Sequence, residues 1–168
     1  MKSVLLTACA VCLALHGSSQ ENLWWKTPVN SPEVVTFIDK AYRTIAKKQS
    51  RAIAGLSMGG FHSMQISKEY PALFDYIGLF SASARFEGRQ PSHIYDNCEA
   101  KIKVQFSQKP ALYWIAIGKD DFLYAENQKL RKFLDDNKLP YTYVESEGGH
   151  IWKNWRNYLS QFVPLLFK

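Results

Sequence analysis

The sequence predicts an α/β fold, a doubly wound parallel sheet of about four strands with helices on both faces. Short apolar runs alternate along the chain with segments whose apolar residues recur at helical spacing. This pattern is typical of strands joined by crossover helices. Polar or glycine-rich residues follow three of the runs directly, at Ser57, Gly118–Asp121 and Glu147–His150. Because the functional residues of such sheets lie beyond the carboxyl ends of the strands, these positions form the candidate site.

Residues 1–19 are predicted to be a secretory signal peptide. Lys2 supplies a positive start, Val4–Leu15 is an apolar run, and Gly17–Ser19 offers small side chains for cleavage. The run is shorter than the roughly 20 apolar residues that span a bilayer, so we expect a secreted or periplasmic protein without a membrane span. Leu6–Cys9 resembles a lipoprotein motif, but few apolar residues precede Cys9, and lipidation is the less favoured alternative.

Residues 20–30 are predicted to be a linker and residues 31–168 one domain, since a chain of this length has room for a single core. Removal of the leader leaves Cys98 as the only cysteine, so no intramolecular disulfide is expected and an ordinary thiol is indicated. The net charge of +6 is spread along the chain without an aromatic and basic motif, so nucleic-acid binding is not expected. No residue cluster has metal-ligand spacing, so neither a metal nor another cofactor is expected.

The first helix is predicted to begin at Ser31, which can cap it, with Pro32 in the first turn. Apolar residues then recur at helical spacing through about Ala46, which predicts a helix face that lies on the sheet. That face consists of Val34, Ile38, Ala41, Tyr42 and Ile45.

The remaining elements follow from the same two patterns. Residues 85–110 have a weak signal and are interpreted as a surface excursion with a possible helix around His93–Val104. The last helix is predicted to begin near Trp152 and to turn Trp152, Trp155, Leu159 and Phe162 inward. The other predicted strands are Arg51–Leu56, Tyr76–Phe80, Ala111–Ile117 and Tyr141–Glu145, and the other predicted helices are Phe61–Tyr70 and Tyr124–Asn137.

The segment Gly55-Leu56-Ser57-Met58-Gly59 indicates a nucleophile elbow, a sharp strand-to-helix turn that presents a reactive serine. A serine hydroxyl is a weak nucleophile, so it must be held where a histidine can take its proton and N–H groups can bind the oxyanion. Glycine is expected at Gly55 and Gly59 because a Cβ at either position would crowd the turn. A purely structural turn of the same composition is the alternative.

Ser57, Asp121 and His150 occur in the chain order of the catalytic triad of α/β-hydrolases. In that arrangement His150 acts as general base toward Ser57 and then as general acid toward the leaving alcohol. Asp121 would hold the imidazole in the required tautomer. Asp120 is the alternative acid, because spacing does not distinguish two adjacent residues.

Three motifs together carry a family resemblance: Gly55–Gly60, Gly118–Asp121, and Gly148–His150 followed by Trp152. They resemble esterases of the α/β-hydrolase superfamily that are related to family 1 carbohydrate esterases. These include feruloyl esterases, acetyl-xylan esterases, esterase D and enterochelin esterases. The similarity extends from about Ser31 to Phe167, so the resemblance implies an α/β-hydrolase-like fold for the whole domain.

The resemblance implies that Ser57 is the nucleophile, Asp121 the acid and His150 the base, with the backbone N–H of Met58 as one oxyanion donor. It also implies a secreted serine carboxylic-ester hydrolase that acts on feruloyl or acetyl esters of plant xylan. The expected partner is therefore a small ester or an esterified polysaccharide. An esterase for a siderophore-type ester is the alternative within the same fold.

The resembling esterases have several strands before the elbow, and a loop after an early strand supplies a second oxyanion N–H. Here a leader, a linker and one predicted helix precede Arg51. The resemblance therefore implies the C-terminal part of a hydrolase domain whose elbow strand lies at a sheet edge, where self-association is expected. Because the loss of one oxyanion donor costs about 3 kcal/mol, a catalytically impaired fragment or interaction module is a further alternative.

Overall fold

The computed structural model of the protein describes residues 31–86 and 93–168. The predicted signal peptide and linker, residues 1–30, lie outside the described residues. Within the described ranges, no helix combines the length and the apolar character that a membrane crossing requires.

Four parallel strands form one sheet in the order β1-β2-β3-β4. One row of paired residues crosses all of them, from Leu56 to Phe80, Ala116 and Val144. Because the strands are parallel, their carboxyl ends meet along a single edge of the sheet. The strands are β1 (Ala52–Leu56), β2 (Tyr76–Phe80), β3 (Leu112–Gly118) and β4 (Thr142–Ser146).

Five α-helices accompany the sheet in the described part of the chain. Three of them connect successive strands, and right-handed crossovers between strands in sequential order place such helices on the same face. The helices are α1 (Ser31–Ala41), α2 (Met58–Glu69), α3 (Cys98–Ser107), α4 (Tyr124–Asp136) and α5 (Trp152–Phe162). Short 3-10 turns cover Lys48–Ser50, His93–Tyr95 and Val163–Leu165.

Two apolar clusters cover the two faces of the sheet. On one face, Ile77 and Leu79 of β2 pack among residues of α2, α3 and α4. On the other face, Tyr76 and Phe80 of the same strand pack against Phe162 and its neighbours on α5. Alternate residues of one strand point to opposite faces, so β2 is buried along its whole length. This arrangement confirms the predicted parallel α/β fold with helices on both faces.

The first helix differs from its prediction. It ends at Ala41 rather than near Ala46, and Val34, Tyr42 and Ile45 of the predicted sheet-facing stripe are exposed. Helical spacing identifies residues that share a face, but it does not specify what covers that face.

Polar contacts connect the region of α1 to the strand that follows. Asp39 accepts hydrogen bonds from the Thr44 hydroxyl and from the Arg51 guanidinium. These bonds lower the pKa of the Asp39 carboxyl, with the Thr44 hydroxyl making the largest contribution. The chain therefore leaves the helix at Ala41 and is held beside the start of β1.

Two further helices begin several residues away from their predicted starts. Helix α2 begins at Met58 rather than Phe61, so Gly59 and Gly60 belong to its first turn. The helix expected around His93–Val104 lies at Cys98–Ser107 and follows Asn97, which has a left-handed backbone with φ of 54°. A left-handed residue interrupts helical hydrogen bonding, so the His93–Tyr95 turn and α3 are separate elements.

Candidate active site

Ser57 occupies the turn between β1 and α2 in a strained backbone conformation. Its φ of 54° and ψ of −117° are rare for a residue with a side chain. The neighbouring strand holds this conformation, since the Ser57 N–H donates to the carbonyl of Phe80 at 2.8 Å. The Ser57 carbonyl accepts from the Phe61 N–H at 3.1 Å and so starts α2. Strain of this kind persists only where the surroundings enforce it, and it is concentrated at functional sites.

Glycine is required at two positions around this turn. A Cβ at Gly55 would lie 2.3 Å from the carbonyl carbon of Gly59, and one at Gly60 would lie 2.5 Å from the Cβ of Ala82. A Cβ at Gly59 would meet nothing within 4 Å. The prediction was therefore right for Gly55 and wrong for Gly59, because Gly60 is the residue that faces the small-residue loop after β2.

Asp121 and His150 are brought together at the ends of β3 and β4. The Nδ1 atom of His150 lies 2.9 Å from Oδ2 and 3.1 Å from Oδ1 of Asp121. The Asp121 side chain is fully buried, and its Oδ1 also accepts from the Leu123 N–H at 3.0 Å. If Nδ1–H donates to the carboxylate, Nε2 retains its lone pair, which is the tautomer that a general base needs.

The structure distinguishes the two adjacent aspartates by their contacts. The Asp120 residue is exposed, and its backbone N–H donates to the Gly148 carbonyl at 3.1 Å. Only Asp121 hydrogen-bonds to the imidazole among the carboxylates of the described ranges. Sequence spacing left this choice open, because it depends on how the loop after β4 lies over β3.

That loop lies directly on the end of β3. A Cβ at Gly118 would come within 2.1 Å of the Gly148 carbonyl oxygen, so the close approach requires glycine. Gly148 itself has φ of +77°, which glycine adopts without strain. The buried Asn154 amide donates to the carbonyls of Glu147 and Gly149, each at 3.0 Å.

Asn154 therefore holds the loop that carries His150, and sequence reasoning missed it. Asn154 precedes Tyr158 by one helical turn and Phe162 by two, so it shares the buried face of α5 with them. A polar residue at this spacing was the available sequence signal for its role. The predicted inward face was wrong for Trp152 and Leu159, which are exposed. Helical spacing from Trp152 gave a stripe that shares only Phe162 with the buried one, which recurs at every fourth residue through Asn154, Tyr158 and Phe162.

Two aromatic rings flank the imidazole of His150. The ring centroid of Phe122 lies 4.7 Å away, and that of Trp155 lies 4.9 Å away in an edge-on arrangement. Trp152 contacts Trp155 in turn, at 5.1 Å between centroids. Phe122 and Trp152 are largely exposed, so they present aromatic surface beside the histidine.

Ser57 lies at the same edge of the sheet, but no hydrogen bond joins it to His150 in the described part of the chain. Catalytic hydrogen bonds of this type often tighten only when substrate binds. The Met58 N–H belongs to the first turn of α2, where backbone N–H groups have no acceptor within the helix. No group of three or more side chains suited to a metal ion occurs in residues 31–86 and 93–168.

Comparison with known proteins identifies the family of this chain. The Esterase family model matches residues 14–166. An acetyl esterase of Caldicellulosiruptor saccharolyticus is 26% identical over 166 residues, which cover 81% of this chain and 61% of that protein. An endo-1,4-beta-xylanase/feruloyl esterase of Xylanibacter ruminicola is 32% identical over 141 residues, covering 81% of this chain and 17% of that protein.

The fold has a solved counterpart in a ferulic acid esterase of Anaeromyces mucronatus, in complex with ferulic acid. Its TM-score is 0.69 at 18% identity, covering 80% of this chain and 51% of that one. This chain thus spans less than two thirds of the length of each of the three proteins. The family match extends over most of the sequence, and the chain belongs to the Esterase family.

Proposed function

We propose that the protein is a serine carboxylic-ester hydrolase with Ser57 as nucleophile, His150 as general base and Asp121 as the acid that orients the imidazole. The observation that carries the proposal is the buried Asp121 carboxylate on Nδ1 of His150. This pair lies at the sheet edge that also carries the strained Ser57 turn. Residue types and positions therefore support the roles of nucleophile, base and orienting group for the three residues.

The reaction follows from these roles. The Ser57 hydroxyl oxygen attacks the acyl carbonyl while Nε2 of His150 takes the hydroxyl proton, and the negative charge develops on the former carbonyl oxygen. The Met58 N–H stabilises that oxyanion by a hydrogen bond. His150 then gives its proton to the leaving alcohol, and water attacks the acyl-enzyme by the same route. Asp121 stays ionised and stabilises the imidazolium at each step.

The substrate class that we propose is an acyl ester of plant polysaccharide, of the feruloyl or acetyl xylan type. The names of the two similar curated proteins, an acetyl esterase and a xylanase/feruloyl esterase, support this class. Exposed Phe122 and Trp152 beside His150 offer surface on which an aromatic acyl group or a sugar ring can stack. Secretion, which the predicted signal peptide of residues 1–19 supports, would give access to such a polymer.

Hydrolysis of small esters tests this proposal. The purified chain is expected to release acid from methyl ferulate and from a small acetyl ester faster than from a siderophore-type ester. Initial rates at matched substrate concentrations give the comparison. If folded protein releases acid no faster than a buffer blank, the hydrolase assignment is contradicted. A preference for the siderophore-type ester would contradict the substrate class.

The position of β1 favours a second role, self-association. The Ser57 N–H and the Arg51 carbonyl both bond toward β2, so the backbone groups of Ala52, Ala54 and Leu56 point to the outer side of the strand. No strand pairs with that side among the described residues. The strand also lacks the charged residues and proline that keep an edge strand from pairing with another chain. We infer that β1 pairs with β1 of a second copy.

Sedimentation velocity across a range of concentrations measures this association. The chain is expected to sediment as a dimer, and Ala54→Pro is expected to shift it toward monomer because proline removes one outward N–H. The bonds from β1 to β2 do not involve that N–H, so the sheet itself should persist. A single monomeric species of the unaltered chain at every concentration would rule out the pairing.

A further inference from the structure

A buried amine and a buried thiol lie in contact beneath the helices on one face of the sheet. Lys68 is in the last turn of α2, and Cys98 is the first residue of α3. Both residues are almost fully buried, with 2% and 4% of their surface exposed. The Nζ atom of Lys68 lies 3.3 Å from the Cys98 sulfur and donates to the Ile94 carbonyl at 2.7 Å.

Lys68 has no acidic partner at hydrogen-bonding distance in the described ranges. The adjacent Glu69 instead pairs with Lys101, at 2.7 Å on the surface of the same two helices. A buried ammonium with a carbonyl and a thiol as its partners is costly, and burial lowers the pKa of Lys68. A larger fraction of the amine is therefore neutral than in an exposed lysine, and the neutral amine is the nucleophilic form.

Cys98 also contributes to the wall of a surface pocket. The other residues that line this pocket include Phe86, Tyr95, Asn97 and Lys103. We expect a molecule as small as a peroxide to reach the sulfur through this pocket without unfolding of α3.

We propose that Lys68 and Cys98 form an oxidation-dependent covalent cross-link, a sulfenamide between Nζ and Sγ that ties α2 to α3. Hydrogen peroxide first oxidises the thiol to a sulfenic acid, as one peroxide oxygen bonds to sulfur, the O–O bond breaks and water leaves. The Lys68 amine then attacks sulfur, an S–N bond forms, and the hydroxyl leaves with an amine proton as water. Overall, a thiol, an amine and one peroxide give a sulfenamide and two waters, and sulfur loses the two electrons that peroxide gains.

The cross-link would join helices that are distant along the chain. The bond connects residues that are separated by 30 positions, so it closes a long loop in the unfolded chain and restricts it as a disulfide would. Helix α2 also begins directly after Ser57. Oxidation would thus stabilise the helix that supports the nucleophile turn.

The test uses the full chain with Cys9→Ser and Cys12→Ser, so that Cys98 is the remaining thiol. After treatment with hydrogen peroxide, the loss of two hydrogens is expected to lower the mass of the Cys98-containing species by about 2 Da. Trypsin is expected to leave Lys68 uncut and to release one cross-linked peptide that contains residues 52–85 and 90–101. A thiol reductant should reverse both changes, and the cross-linked chain should melt several degrees higher.

Lys68→Gln is the matched control, because an amide can still donate to the Ile94 carbonyl but is not nucleophilic. In this variant Cys98 is expected to gain oxygen instead of losing hydrogen, and no cross-linked peptide should form. Oxygen adducts on Cys98 of the parent chain with Lys68 freely cleaved, or a thiol that stays unreacted, would overturn the proposal. Both of these contradicting outcomes are measured on the parent chain, so the test does not depend on the folding of the Lys68→Gln variant.

Discussion

Replacement of Ser57 by alanine is expected to lower kcat for ester hydrolysis by roughly 10⁴-fold or more. The variant lacks the only oxygen that can form the acyl-enzyme in the proposed mechanism, and removal of the nucleophile of a triad leaves only the contribution of binding and oxyanion stabilisation. The fold should persist, since the turn is held by backbone bonds to Phe80 and Phe61. Alanine and serine also meet the same strain at φ of 54°. Initial rates on an acetyl ester, with circular dichroism on the same samples, measure both expectations.

Ser63→Ala provides a matched control. Ser63 is a buried serine in α2, and its hydroxyl donates to the Gly59 carbonyl within the same helix at 2.9 Å. Loss of that bond should cost about 1 kcal/mol of stability and leave kcat nearly unchanged. A fluorophosphonate probe, which reacts with activated serines, should label the Ser63→Ala protein and not the Ser57→Ala protein. Equal turnover by the Ser57→Ala protein and the parent chain would remove the proposed nucleophile.

The strands were predictable because the core strands of this sheet have a local signature. Every residue of Tyr76–Phe80 is buried, and the run is apolar throughout, as it must be when both faces are covered. The carboxyl ends of parallel strands share one edge, so the order of strands and loops was sufficient to bring Asp121 and His150 to that edge. The same argument placed Ser57 after β1.

The remaining features depend on contacts between segments that are distant in sequence. The contact of His150 with Asp121 rather than Asp120 depends on the loop after β4. Gly118 leaves room for that loop on the end of β3, and the Asn154 amide donates a hydrogen bond to it. The sequence alone does not show that Gly118 or Asn154 contacts this loop. The exposed stripe of α1 has the same origin, since the spacing around Val34 specifies a face but not its neighbour.

Asp121→Asn is expected to lower kcat by about 10⁴-fold while leaving the binding of substrate little changed. The carboxamide is nearly isosteric, but its NH₂ group favours the imidazole tautomer that carries its proton on Nε2. In that tautomer His150 cannot accept the Ser57 proton, and the stabilisation of the imidazolium is also lost. The Leu123 N–H can still donate to the remaining oxygen, so the start of α4 should stay intact. Separate determination of kcat and KM distinguishes this loss from a defect in binding.

Asp120→Asn makes the same change in charge one residue away and isolates the contact with the imidazole. The Asp120 side chain is exposed, and the residue contributes to the loop through its backbone N–H, which asparagine retains. Its kcat should stay within about twofold of the parent, since surface substitutions of this kind have small effects. If the two variants lost activity equally, net charge at the loop rather than orientation of His150 would be responsible. A large loss in Asp120→Asn alone would transfer the role of the acid to Asp120, against the hydrogen bonds that connect Asp121 to Nδ1.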